Sequence, residues 1–441
     1  MNKKQLIIAS AAFLSLAACK PHLDTEAPSA GGLDFSRYIA VGNSLTSGYA
    51  DGTLYRSGQQ NSYPSILARQ FAAVGGGDFR QPLLNSESGY PSAKRVLGVS
   101  ADCKGVVGLG PILFPGSRAD TTGDATNIAA AGPYNNLGVP GLRAIDFLAP
   151  GYAVIAKAIL GAPWASRFFD NPATDRPLDM VKRSNPTFFT AWIGNNDVLL
   201  YALNGGTGSP IGISPAGTFS VAVDSVVDAL TAHGAKGALI NIPDVTAIPY
   251  FITVPYNGLV LTRQGQVDSL NFAYSGTGIT FSFGPNAFVI QDLTVPLIQR
   301  RKIKAGEFVL LTVPQDSIKC AGWGTVKPIP ATYILDEAEV AAVNSATASY
   351  NGIIQSKAAA AGLAYVDMNT YLKTLTAGVV FNGVTFNTVF VKGGAFSLDG
   401  VHLTPRGYAL AANEIIRMIN AWYGASVPIA DVNAYNGVLF P

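Results

Sequence analysis

A serine, a histidine and an aspartate can together run nucleophilic acyl transfer, and this chain carries such residues in two short, widely separated stretches. The first is Tyr38-Ile-Ala-Val-Gly-Asn-Ser-Leu-Thr-Ser-Gly-Tyr49, which delivers Ser44 after an unbroken apolar run. The second is Ser397-Leu-Asp-Gly-Val-His-Leu-Thr-Pro-Arg-Gly-Tyr408, which holds one of only three histidines in 441 residues, His402, three positions after Asp399. In such chemistry the imidazole takes the serine proton and the carboxylate orients and stabilises the imidazole.

Both stretches sit where structure would hold them still. Ile39, Ala40 and Val41 show no polar alternation, the pattern of a strand buried on both faces of a parallel sheet. The carboxyl end of such a strand faces the usual ligand crevice of an open α/β sheet. Gly42 relieves the turn, and Ser44 follows at or near the start of the next element, where free backbone N–H groups favour negative charge. In the second stretch Thr404 can cap a helix and Pro405 suits its first position. Tyr408, Ala412, Ile415, Ile419 and Trp422 then repeat on one face. Asp399 is close enough to bond Nδ1 of His402 and leave Nε2 facing a hydroxyl. Taken singly, each stretch also fits a plain reading: a Gly-Asn-Ser turn that ends a strand, and an Asp-Gly turn beside a structural histidine.

Two further blocks remove that ambiguity, because all four together resemble the SGNH, or GDSL-like, hydrolase family in the family's order. Gly42-Asn43-Ser44-Leu45 is the first block, with Asn43 in place of the usual Asp, a position that supports the turn. Asn136-Leu-Gly-Val-Pro-Gly141 is the second, Gly194-Asn-Asn-Asp197 the third and Asp399-Gly-Val-His402 the last. The resemblance spans roughly residues 36 to 423. It implies a three-layer, flavodoxin-like α/β fold with a central parallel sheet and helices on both faces. It also implies a Ser44–His402–Asp399 triad and an oxyanion hole made by the backbone N–H of Ser44, that of Gly141 and the side-chain amide of Asn196. The family includes lipases, thioesterases, aryl esterases and carbohydrate deacetylases, and fold does not choose among them. The apolar insertions favour a lipid or other hydrophobic acyl ester. The alternatives are a carbohydrate acetyl esterase and a non-catalytic lipoprotein that binds glycan or lipid in the same crevice.

Other chemistries lack a foothold. An ordinary α/β-hydrolase wants a GxSxG elbow and a histidine far from its acid, whereas Thr46 stands where the second glycine belongs. The histidines at 22, 233 and 402 form no ligand cluster, there is no HExxH and no Walker loop, and neither metal nor cofactor is expected. A net charge of +2 argues against a nucleic-acid partner. Hydrophobic residues make up 48% and charged ones 13%, against about 25% charged in typical domains, which excludes disorder and provides for a large core. Forty-seven glycines and 27 prolines point to many turns and long decorations on that core.

Taken in order, residues 1–18 have the build of a secretory signal: Lys3 and Lys4, an apolar run from Leu6 to Leu16 too short to cross a bilayer, then small residues. Leu16-Ala-Ala-Cys19 resembles the bacterial lipoprotein cleavage box. That implies lipid modification of Cys19 and a membrane partner through the anchor, in the cell envelope. Residues 19–35 read as a polar tether and 36–423 as the hydrolase domain. Residues 78–132 and 251–333 are expected as insertions, the second capping the crevice, and 424–441 as a C-terminal tail. With Cys19 lipidated, Cys103 and Cys320 remain as a pair to which a disulfide is open. The Gly108-Leu-Gly110 cluster lacks the rest of a dinucleotide fingerprint, and Arg300-Arg-Lys302 reads as a solvated face. Helices are expected near 62–73, 221–232 and 335–360, strands at 187–193, 237–242 and 362–367, and a hairpin over 376–394 with Asn382-Gly383 as its turn. Asp197 reads as a helix cap rather than the triad acid, and His233 as a helix terminus.

Overall fold

The structure, a computed structural model, describes residues 27–438. The signal segment 1–18, the lipidation site Cys19 and the first part of the tether lie outside the described residues.

Five short apolar segments form one parallel sheet: β1 (Tyr38–Gly42), β2 (Asn136–Gly138), β3 (Phe188–Trp192), β4 (Lys236–Ile240) and β5 (Ala364–Val366), in the order β5-β4-β3-β1-β2. β1 and β3 are buried along their whole length, as expected of strands without alternation. The fully apolar reading holds because helices cover both faces. Against one face pack α2 (Tyr63–Ala72) and α7 (Pro405–Tyr423), with Phe71 stacked on Phe35 and edge-on to Phe188. Against the other pack α4 (Ala216–Thr231) and α5 (Glu337–Ala361), locked by a stack of Phe219 on Tyr350 with ring centroids 4.1 Å apart. This is the three-layer flavodoxin-like arrangement, whose strand order places a topological switch beside β1.

Capping side chains open α2, α5 and α7, whereas α4 starts at Ala216 behind Pro215, ahead of the expected 221. Ser62 accepts from Ser65 N–H ahead of α2, and Thr404 accepts from Gly407 N–H ahead of α7, each followed by a proline in the first turn. Asp336 and Glu339 close a reciprocal box at the start of α5. The hairpin Val379–Phe381/Val384–Phe386 turns at Asn382 and Gly383, both at positive φ. His233 is exposed just past α4.

The sequence reading differs in several places. Within 78–132, where no period is visible, Arg95–Ala101 pairs with Val107–Leu113 as a long antiparallel hairpin that contains the Gly108-Leu-Gly110 cluster. Its strands are largely exposed, so burial leaves little periodic mark on them. Within 251–333, Ile279 and Phe281 fill a small cluster with Leu270 and Val289. A second such cluster surrounds Phe288, Ile303 and Ile329, so this insertion carries cores of its own. Arg301 is not on a solvated face: its guanidinium bonds Glu307 at 2.6 and 2.7 Å and Asp292 at 2.6 Å. Residues 27–35 are docked rather than a free tether, since Ser29 exchanges backbone bonds with Ser426 and Phe35 enters the core. The segment after residue 424 is no loose tail either, because Val427, Ala430 and Val432 are buried against the same core.

Cys103 and Cys320 are joined in a disulfide, their Cα atoms 6.4 Å apart. It staples the hairpin insertion to the helix Gln315–Cys320 of the second insertion. Between the two insertions and the body lies a cleft of about 660 Å³ whose walls include Arg95, Pro111, Val254, Phe288 and Ile318 and which reaches Leu398 and Asp399.

Candidate active site

β1 ends at Gly42, and the chain turns at once into α1 (Ser44–Ser47). Asn43 makes the turn: its side-chain oxygen accepts the Leu45 N–H at 3.1 Å, while its Nδ2 is buried without a partner. Ser44 therefore stands at the first position of a helical turn, 8% exposed, above the carboxyl end of the sheet. The bend is tight enough that a Cβ on Gly138 of β2 would lie 2.4 Å from the Ser47 nitrogen. Only glycine lets the second block approach the nucleophile's turn this closely.

The second and third blocks are tied to this turn and to each other. Val139 N–H donates to the Gly42 carbonyl at 3.1 Å, and Asn136 Nδ2 donates to the Thr46 carbonyl at 2.8 Å. Gly141 follows at φ 82°. Asn196 opens α3 (Asn196–Leu203), and its Nδ2 donates to the Leu142 carbonyl at 3.0 Å. That bond uses one of the two amide hydrogens and leaves the other free. Asp197 lies in the first turn of α3, but its carboxylate serves the second block rather than its own helix, accepting the Ala144 N–H at 2.5 Å and the Ile145 N–H at 3.4 Å. Burial pushes its carboxyl up to about 6 against the pull of those N–H donors.

On the far stretch, Asp399 Oδ2 lies 2.8 Å from His402 Nδ1. The other oxygen of Asp399 accepts the N–H groups of Val401 and His402 and the hydroxyl of Ser397, at 2.8–3.0 Å. Burial alone would raise this carboxyl, but the His402 ring and the converging donors outweigh it and hold it well below the usual carboxylate range. It is a fixed anion behind the imidazole. Tyr49 links the two stretches: its N–H donates to the Ser44 carbonyl at 3.0 Å, and its ring centroid is 4.5 Å from that of His402. Tyr408 of α7 clamps it by donating to the Tyr49 carbonyl at 2.6 Å.

Ser44, Gly141, Asn196, Asp399 and His402 thus belong to one connected set of turns at the carboxyl edge of the sheet. Sequence reasoning missed Asp51 and Gly52, which bond the acid's loop, and the second role of Asp197. The Asp51-Gly52 dipeptide reads as an ordinary turn, and nothing in its spacing reveals a partner near residue 398. Among the described residues, no group of three or more His, Cys, Asp or Glu side chains is placed to hold a metal ion.

A five-stranded parallel sheet in this order, covered by helices on both faces, with Ser44 on the turn after β1 and Asp399 bonded to His402, defines a three-layer α/β protein. Residues 38–415 match the family model described as GDSL-like Lipase/Acylhydrolase. The chain belongs to that family. A search of curated proteins returns no match to it.

Proposed function

We propose that the protein is a lipid-anchored serine esterase that hydrolyses carboxylic acyl esters, with Ser44 as nucleophile, His402 as general base and acid, and Asp399 as the orienting anion. The observation that carries this reading is the 2.8 Å contact between Asp399 and Nδ1 of His402. It fixes the tautomer so that Nε2 is the basic nitrogen. In the reaction Nε2 takes the Ser44 proton as Oγ attacks the carbonyl carbon. The oxyanion is received by the N–H groups of Ser44 and Gly141 and by the free hydrogen of Asn196 Nδ2. Collapse expels the alcohol, protonated by the imidazolium. Water then repeats the sequence on the acyl-enzyme and releases the acid.

An apolar acyl group is favoured by a pocket of about 70 Å³ walled by Leu45, Trp192, Phe396, Val401, Leu403 and their neighbours. Leu45 follows Ser44 in the chain, and Val401 and Leu403 flank His402, so the pocket shares its walls with the two segments that carry the site. The larger cleft at Asp399 suits a bulky alcohol portion. That division of sizes also keeps the carbohydrate acetyl esterase reading open, with a small acyl group and a large alcohol. Export and anchoring at Cys19 are supported by the Leu16-Ala-Ala-Cys19 box and by the Cys103–Cys320 disulfide, which fits an oxidising compartment.

Labelling with a fluorophosphonate, in native protein and in Ser44→Ala, tests the chemistry. Labelling confined to the native chain is expected; an unlabelled native chain would make this a binding protein. A p-nitrophenyl ester series from acetate to palmitate, run beside acetylated xylan, then separates the substrate classes. Turnover of acetylated xylan alone would replace the apolar-acyl reading with the carbohydrate one.

A further inference from the structure

We propose that Asp51 is a positioning residue for the Ser44–His402–Asp399 site: a second buried carboxylate that fixes the loop carrying the triad acid. The inference rests on the hydrolase reading above for its kinetic consequences only.

Asp51 lies seven residues after the nucleophile, in the turn that leaves α1, and its backbone takes a left-handed φ of 54°. Its Oδ1 accepts the Leu398 N–H at 3.0 Å and its Oδ2 accepts the Tyr55 hydroxyl at 2.7 Å. Its own N–H donates to Ser397 Oγ at 3.0 Å, and that hydroxyl donates to Asp399 Oδ1 at 3.0 Å. The next N–H, of Gly52, donates to Asp399 Oδ2 at 3.0 Å. Two consecutive residues of the nucleophile's segment therefore hold three consecutive residues of the acid's segment, Ser397 to Asp399, by contacts that span almost the whole chain. Position 52 suits glycine, because its backbone takes a φ of 84° that other residues rarely adopt.

Each oxygen of Asp51 accepts a bond and donates none, the pattern that favours an ionised group. Burial pushes its carboxyl up, and the Leu398 N–H and Tyr55 hydroxyl oppose that. The charged and titratable groups around it are Tyr55 on its own segment, Lys94 and Arg95 from the hairpin insertion, Asp399 on the acid's loop, and Tyr408 on α7. The Lys94 ammonium is itself buried, 4.4 Å from the centroid of the Tyr55 ring. The carboxylate is thus held at both oxygens while its own backbone N–H holds the loop that carries Asp399.

The test uses the full chain and two variants that break the link, Asp51→Ala and Ser397→Ala, with Asp51→Asn as the conservative rescue, since its amide oxygen can keep the acceptor for Leu398. On a p-nitrophenyl ester, kcat is expected to fall at least about tenfold in Asp51→Ala with KM within about twofold, since interactions made in the transition state are the ones lost. Ser397→Ala should lower kcat in the same way, and it carries the test if Asp51→Ala does not fold. Asp51→Asn should recover most of the loss. Hydrogen exchange at the Leu398 and His402 amides reads the loop directly and does not depend on turnover: faster exchange in Asp51→Ala at an unchanged thermal midpoint supports the proposal even in a catalytically silent chain. Unmoved kcat and unmoved exchange in both variants overturn it. A lowered thermal midpoint with an unchanged kcat reduces Asp51 to a structural residue.

Discussion

Nδ1 of His402 and Oδ2 of Asp399 are 2.8 Å apart, and every other lone-pair direction of that carboxylate that carries a bond is met by a donor from the two segments it joins. The acid cannot swing away from the ring without abandoning several buried donors, each costing about 1–3 kcal/mol if left unmet. Asp399→Asn would keep the shape but present an amide whose donor side favours the wrong imidazole tautomer. A kcat loss on the order of 10⁴-fold is expected, measured on any turned-over p-nitrophenyl ester. Because the Asp399 carboxyl is depressed, its contribution to stability is complete above the ordinary carboxylate value near 4 and is lost as the pH falls from there. An Asp399→Asn enzyme within tenfold of the native kcat would remove Asp399 from the triad.

Asn196 makes a narrower claim. One amide hydrogen is committed to the Leu142 carbonyl, so the side chain is already held in place before substrate arrives, and only the second hydrogen can meet an oxyanion. Asn196→Ala should lower kcat by about 10²–10³-fold with little change in KM. A raised KM at constant kcat would make Asn196 a ground-state binding group instead.

Asp197 should be felt in stability rather than chemistry. Its folded-state carboxyl is raised to about 6 by burial, so between pH 4 and 6 the folded chain binds a proton that the unfolded chain has released. Stability attributable to this group is therefore greatest at low pH and falls as the pH rises to about 6. The interval from 3.8 to about 6, at about 1.4 kcal/mol per pH unit, caps the effect at about 3 kcal/mol. Asp197→Asn should flatten that part of the profile. Urea midpoints at pH 4 and pH 7, compared between native and variant protein, check it; parallel slopes would contradict the assignment.

The Cys103–Cys320 bridge closes a loop with a sequence separation of 217. Replacing both cysteines by serine should cost about 2–5 kcal/mol of stability. The bridge touches no triad residue, so turnover of a small ester should stay within about threefold of native. Loss of small-ester turnover in a folded variant would show that the insertions shape the site itself.

Much of this architecture is legible in the chain because burial leaves periodic marks. Ile39 to Val41 and Phe188 to Ile193 lack polar alternation because both faces of their strands are covered, and α7 is announced by Thr404, Pro405 and an apolar face. The blocks around Ser44, Asn136, Asn196 and His402 are legible for a different reason: their residue types and order match those of the family. What stays hidden is held by contacts distant in sequence or by exposed backbone. The hairpin at 95–113 buries too little to show a period. Arg301 looks solvated because its partner Glu307, whose side chain is only 1% exposed, is an acid that composition alone would place outside. Asp51 looks like any turn former until Leu398 is brought to it.

Read as the acyl site, the apolar pocket at Leu45 offers a prediction about chain length. Its walls are contributed by Leu45 and by the residues on either side of His402, while its floor comes from Met368, Leu372 and Leu375 of α6 (Met368–Ala377) and from Leu410 and Ala411 of α7. The space, about 70 Å³, has almost no polar lining and is suited to a few methylenes of a carboxylic chain. Each methylene buried there is worth about 0.8 kcal/mol, or roughly fourfold in kcat/KM while the pocket lasts. The native enzyme should therefore gain rate from acetate to butyrate or hexanoate and then level off. Ala411→Leu adds three carbons to that lining. It should leave acetate ester turnover near native and remove most of the gain for longer chains, flattening the preference. Equal losses on acetate and hexanoate esters would mean that the substituted residue disturbs the fold, which a thermal midpoint would reveal. A midpoint unchanged with chain-length preference also unchanged would place the acyl group elsewhere, in the larger cleft beside Asp399.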